Sequence, residues 1–79
     1  MRMSLSECGA KAVEIILSEL AAGVRLFPAE FRLTDLASKI GTTPQNVGSA
    51  FSPYIEKPLL AKGYASLKHG TPRRLTISR

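Results

Sequence analysis

The sequence predicts a small, mostly helical α+β domain. Three helices are followed by a C-terminal two-stranded β-hairpin, in one unit spanning residues 1–79. Three observations carry that expectation. Apolar residues recur at helical spacing near the N-terminus and again through the middle of the chain. Alternation of apolar and polar residues is confined to the C-terminal part, and Gly and Pro stand at the boundaries between these segments. A chain of 79 residues supports a single modest core, but not a cleft built between two layers.

The first helix is expected over about Leu5 to Ala22. Ser4 and Glu7 have the spacing of a capping box, and Gly23 provides the stop. Val13, Ile16, Leu17 and Leu20 form its buried stripe, with Glu14 and Glu19 facing water. A connector, Val24 to Arg32, carries Pro28 in its middle. Phe27 and Phe31 are expected to plug the core, and Phe31-Arg32-Leu33 to form a short strand.

Two short helices joined by a tight turn are expected over about residues 34–52. Leu33, Leu36, Ala37 and Ile40 make one apolar face; Val47, Ala50, Phe51 and Tyr54 make the other. Thr34 is read as the cap of the first, with Asp35 where the helix dipole favours an anion. Gly41 supplies the left-handed stop, Thr43 caps the second helix, and Pro44 is pre-set at its first position. So compact an arrangement is the pattern of a helix-turn-helix, whose second helix commonly enters the DNA major groove.

The hairpin is expected over about residues 64–78. Tyr64 to Lys68 alternates loosely and Leu75 to Ser78 cleanly. His69-Gly70-Thr71-Pro72 between them is turn chemistry, with Gly free to take positive φ and Pro holding its own φ. Helix, helix-turn-helix and hairpin with a basic tip is the order of a winged-helix domain, and the chain resembles that family over nearly its whole length. The resemblance implies that the second helix of the helix-turn-helix lies in the major groove. With Val47, Ala50, Phe51 and Tyr54 buried, Gln45, Ser49 and Ser52 point the opposite way, flanked by Asn46 and Gly48. Gln and Asn read adenine edges bidentately, and Ser bonds a base or a phosphate. Thr42 and Thr43 stand where the helix start bonds a phosphate. Gly48 either admits close approach of the duplex or is a weak point costing about 1 kcal/mol of helix stability. No Arg or Lys lies on this face; the cations Lys68, Arg73 and Arg74, with His69 at the turn, lie on the hairpin that the resemblance makes the wing. Arg73 and Arg74 alternate across a strand, so at most one of them faces a given surface.

Residues 52–63 depart from the usual winged-helix pattern. Pro53 removes an internal hydrogen bond, so the helix is expected to end or kink near Ser52. A second short turn over Pro53 to Ala61 then brings Tyr54, Ile55, Leu59 and Leu60 back onto the core, and Gly63 closes it. Ser52-Pro53-Tyr54-Ile55, Lys62-Gly63-Tyr64 and Thr71-Pro72-Arg73 together resemble the winged-helix module that closes the Holliday-junction motor RuvB. This likeness covers roughly the last 30 residues; the first wing strand is longer here and the motor's ATPase domain is absent. It implies branched DNA as an alternative substrate.

The charge distribution points to a polyanion. The net charge is +5, and residues 57–79 hold Lys57, Lys62, Lys68, Arg73, Arg74 and Arg79 with no acid. Residues 1–23 carry a net of −1, and residues 24–56 balance. No apolar run approaches the roughly 20 residues of a membrane span, and Glu7, Lys11 and Glu14 interrupt any signal-peptide core. A single cysteine, Cys8, allows neither an internal disulfide nor a Cys-based zinc site and is read as a small core hydrophobe. This usage suits a reducing, cytoplasmic compartment, nucleoid-associated in a prokaryote. His69 has no Cys or His partner for a metal, and no Ser–His–Asp set, glycine-rich phosphate loop or paired carboxylates occur.

The expectation is therefore a DNA-binding protein and not an enzyme, with no cofactor, metal or small-molecule substrate. It would serve as a transcriptional regulator or an accessory factor of a replicon or mobile element. Binding double-stranded DNA as a homodimer through the first helix suits so small a domain. The chain ends almost at its second hairpin strand, so a C-terminal dimerisation helix is not expected. The competing class is a winged-helix protein-interaction module of a larger nucleic-acid-processing complex, which would expose apolar residues where Gln45, Ser49 and Ser52 stand.

Overall fold

A computed structural model of the chain describes residues 3–23, 26–69 and 74–79. These residues form a mostly helical α+β domain with a three-stranded antiparallel sheet. The first helix, α1 (Leu5–Ala21), starts as the sequence predicts: the Ser4 hydroxyl accepts the Glu7 backbone N–H at 3.2 Å. Gly23, at φ 70°, follows its end. Its buried seam is Cys8, Gly9, Ala12, Val13 and Ile16, displaced toward the N-terminus from the expected stripe. Leu17 and Leu20 are only partly buried, and Glu19 is half-buried 3.7 Å from Lys39 instead of facing water. The displacement reflects where α1 finds its partners. Small residues at Cys8, Gly9 and Ala12 let the middle helices approach closely.

Strand β1 (Ala29–Arg32) follows, with Ala29 and Phe31 buried and Glu30 and Arg32 exposed. Phe27 is not in the core as expected. It is 41% exposed and stacks on Tyr64 with ring centroids 5.8 Å apart. Pro28 lacks the N–H that a ladder needs, so the strand begins after it and Phe27 escapes the alternation that buries Phe31. Arg32 is both the last residue of β1 and, at φ −81° and ψ 135°, the N-cap of α2 (Leu33–Ile40). The expected cap, Thr34, lies inside the helix instead. Pairing with the sheet holds the chain extended through Arg32, and the helix follows at once. Leu33, Leu36 and Ala37 are buried from its apolar face.

Helix α3 (Pro44–Ala50) buries Val47 and Ala50, and Phe51 follows them into the core. The chain kinks at Ser52, whose φ of −117° and ψ of 123° are extended, as Pro53 requires. A turn over Phe51–Ile55 then leads into α4 (Glu56–Ala61). Ile55 and Leu59 are fully buried, but Tyr54 and Leu60 are 39% and 66% exposed and do not return to the core as expected. A pair at i and i+4 shares a helix face, and the neighbours of that pair in sequence are rotated away from it. Gly63, at φ 88°, turns the chain into the hairpin.

The hairpin consists of β2 (Ala65–His69), shifted one residue toward the C-terminus from expectation, and β3 (Arg74–Ser78), one residue longer at its start. The sheet order is β1-β3-β2, so the expected two-stranded wing is a three-stranded sheet. Phe31 opposes Leu75 and Ala29 opposes Ile77, all buried on the face toward the helices. This β1–β3 ladder joins residues more than forty positions apart, which no local signal announces. Gly70, Thr71, Pro72 and Arg73, the expected tip, lie outside the described residues.

Candidate nucleic-acid interface

The turn between α2 and α3 is built as its sequence dictates. Gly41 adopts φ 89°, its N–H donates to the Ala37 carbonyl at 2.8 Å, and the Thr42 N–H shares that acceptor at 2.9 Å. The Thr43 hydroxyl accepts the Asn46 N–H at 3.2 Å, and Pro44 occupies the first helical position. The Asn46 side-chain amide donates to the Thr42 hydroxyl at 2.9 Å. Three expected contact residues are thus engaged locally. Thr42 and Thr43 each keep their hydroxyl proton to donate to an external oxygen, and the Asn46 amide keeps its second N–H and its carbonyl oxygen.

An open groove of about 230 Å³ lies between the outward side of α3 and the end of β2. Gln45, Gly48 and Ser49 line it from the helix, and Lys68 and His69 from the strand, over a floor that includes Leu33 and Pro44. Four of the residues expected to meet DNA therefore border it, although the His69 side chain turns to the other face of the strand, toward Thr76. Lys68 donates from Nζ to the Gly48 carbonyl at 3.2 Å and lies 6.0 Å above the Phe51 ring. An ammonium has three donors, so two remain for a ligand. The tether fixes the strand cation against the helix that carries the polar face.

Other expected site residues lie elsewhere. Ser52 is exposed but sits at the kink, past the end of α3, and is not in the groove. His69 is a part-buried strand residue and not a free turn residue, with Nε2 2.9 Å from Thr76 Oγ1. Arg74 belongs to β3, and its Nε lies 3.4 Å from Glu30. Arg73 lies outside the described residues. Arg32, exposed beside Arg74 in the register, is a basic residue that the sequence pattern did not single out. The signal was present, since a strand with Phe31 inward turns Arg32 outward.

Gly48 illustrates how packing and function separate. A Cβ there would meet only the Leu33 Cδ1 atom at 3.7 Å, an ordinary contact, so the core does not require a glycine. Gly48→Ala is expected to raise stability by about 0.5–1 kcal/mol through helix propensity. Chemical denaturation checks this; a loss of stability would mean that the groove wall is too tight to take a methyl group.

Cys8 is buried, and burial pushes its thiol up from its ordinary value, which leaves it neutral and unreactive. Among the described residues no cluster of three or more His, Cys, Asp or Glu is placed to hold a metal ion. No helix among them is long and apolar enough to cross a membrane. Comparison of the chain with protein families, curated proteins and solved structures finds no match.

Proposed function

We propose that this chain is a winged-helix protein that binds double-stranded DNA, with α3 in the major groove and the β2–β3 hairpin on the adjacent backbone. The observation that carries the proposal is the groove in which Gln45 and Ser49 of α3 meet Lys68 of the hairpin. Base-reading amide and hydroxyl groups stand beside a tethered cation, which is the pairing of sequence reading with phosphate positioning that DNA recognition needs. The six basic and no acidic residues of 57–79 supply the phosphate attraction. A transcriptional regulator or replicon accessory factor is the role that fits, with two copies pairing through α1 to extend the small contact of one domain.

Fluorescence anisotropy with a random duplex, a four-way junction and single-stranded DNA, each across a salt series, tests the proposal. Duplex binding that weakens steeply with salt supports it, and preference for the junction would redirect it to branched DNA. Failure to bind any of them at low salt would turn attention to a protein partner. Gln45→Ala is expected to change sequence preference more than overall affinity. Arg73→Ala combined with Arg74→Ala is expected to weaken binding to all duplexes and flatten the salt dependence by about 0.9 for each phosphate no longer neutralised. In Gly48→Ala, a stabilised fold with weakened duplex binding would mark close approach of the helix backbone to DNA.

A further inference from the structure

The register of the sheet aligns basic side chains from three strands. Arg32 of β1 and His69 of β2 both lie directly opposite Arg74 of β3. Leu75 and Ile77 are fully buried, so Arg74 and Thr76 belong to the opposite, outer face, and directly paired residues share that face. Arg32, Arg74 and His69 thus form one row across the outer face of the sheet, beside the hairpin end. Side chains so paired have Cβ atoms about 4.5–5.5 Å apart, and like charges directly opposite each other are destabilising. Glu30 lies 3.4 Å from Arg74, but Arg32 is exposed and has no ion-pair partner among the described residues. Two guanidinium groups therefore face each other across a ladder with one carboxylate near them.

An anion that offers several oxygens relieves this arrangement, because each guanidinium presents a planar fork that matches phosphate geometry. We infer that the outer face of the sheet is a second phosphate-binding surface, in which Arg32 and Arg74 bind the phosphodiester backbone of nucleic acid. This inference rests on the nucleic-acid reading above and extends it. Lys68 opposes the buried Leu75 and reaches Gly48 on the helix side, so cations stand on both faces of the same hairpin. The backbone is gripped from the groove side by Lys68 and from the outer side by the arginine row.

Anisotropy with a random duplex of about 20 base pairs, over a salt series from about 50 to about 200 mM, tests the inference in Arg32→Gln, Arg32→Lys and Lys68→Gln. The Arg32 side chain makes no capping bond to α2, so its replacement leaves the helix start intact. Arg32→Gln is expected to lower the salt slope by about 0.9, so that this fourfold rise in salt costs it about 3.5-fold less affinity than it costs the wild type. Arg32→Lys, which keeps the charge, is expected to restore the slope. An unchanged slope in Arg32→Gln, while Lys68→Gln lowers it, would overturn the outer-face site and leave the nucleic-acid reading standing. A fall in affinity at unchanged slope would likewise overturn it, since that marks a structural and not an ionic effect. A wild type that binds no duplex at low salt overturns both.

Discussion

Replacement of Phe31 by alanine is expected to cost about 3–5 kcal/mol, the loss typical of truncating a fully buried aromatic side chain. Domains hold about 0.05–0.15 kcal/mol per residue, so a chain of this length has about 4–12 kcal/mol in all, and the variant loses much of its fold. Phe31 is 2% exposed and pairs with Leu75 on the inner face of the sheet, so its removal empties the junction of β1, β3 and the helices. Phe27→Ala provides the contrast. That ring is stacked on Tyr64 and covered on one side by Arg79 at 5.3 Å, yet it remains widely exposed. Its loss is expected to cost about 1 kcal/mol, the scale of an aromatic pair at the surface. Urea denaturation of the two variants side by side decides the matter. Equal losses would mean that both rings share the core and that Phe31 is not the anchor of β1.

Gly9→Ala is expected to destabilise the domain, against the ordinary behaviour of glycine in a helix. Propensity alone favours alanine by about 1 kcal/mol at an interior helical position. Packing opposes it more strongly. A Cβ at Gly9 would lie 2.9 Å from the Tyr54 carbonyl oxygen and closer still to Tyr54 Cβ, in the turn that follows the kink at Ser52. Backbone cannot step aside as a side-chain terminus does, and overpacking of this kind typically costs about 1–3 kcal/mol. A net loss of up to about 2 kcal/mol follows from these opposed terms. Ala10→Gly, at an exposed position of the same helix, isolates the propensity term. If Gly9→Ala raises the denaturation midpoint instead, α1 does not rest on the Tyr54 turn.

Gly9 also marks where local patterns stop being informative. A glycine inside a helical pattern signals lower propensity, but the backbone it accommodates is more than forty residues away. The caps behave differently. Ser4, Gly41, and Thr43 with Pro44 act within four residues of themselves and cap as their positions predict, Ser4 through its hydroxyl on the Glu7 N–H. The kink at Ser52 is equally local, because Pro53 imposes it on its neighbour. Exposure of Gln45 and Ser49 on α3 also follows from periodicity, given that Val47 and Ala50 are buried. Expectations fail where they depend on which elements meet. Hydrophobicity points Phe27 to the core, residue type makes Thr34 a cap, and its neighbours place His69 in a free turn. The start of β1 after Pro28 decides the first, the run of β1 through Arg32 the second, and the pairing of His69 in β2 the third.

The same division holds for the candidate interface. By itself the sequence determined the Gly41–Pro44 turn between α2 and α3, the polar outward face of α3, the approximate position of the hairpin and the concentration of cations at the C-terminal end. These are properties of composition, spacing and hydrogen bonds closed within one turn. Tertiary structure alone decided that β1 joins β3, that Lys68 is tethered to the Gly48 carbonyl, and that Arg32 stands opposite Arg74. Helical and turn signals act over three or four residues, whereas strand pairing is chosen by burying Ala29, Phe31, Leu75 and Ile77 on a common face. Once that apolar face is buried, the register follows, and with it the row of charges on the other side.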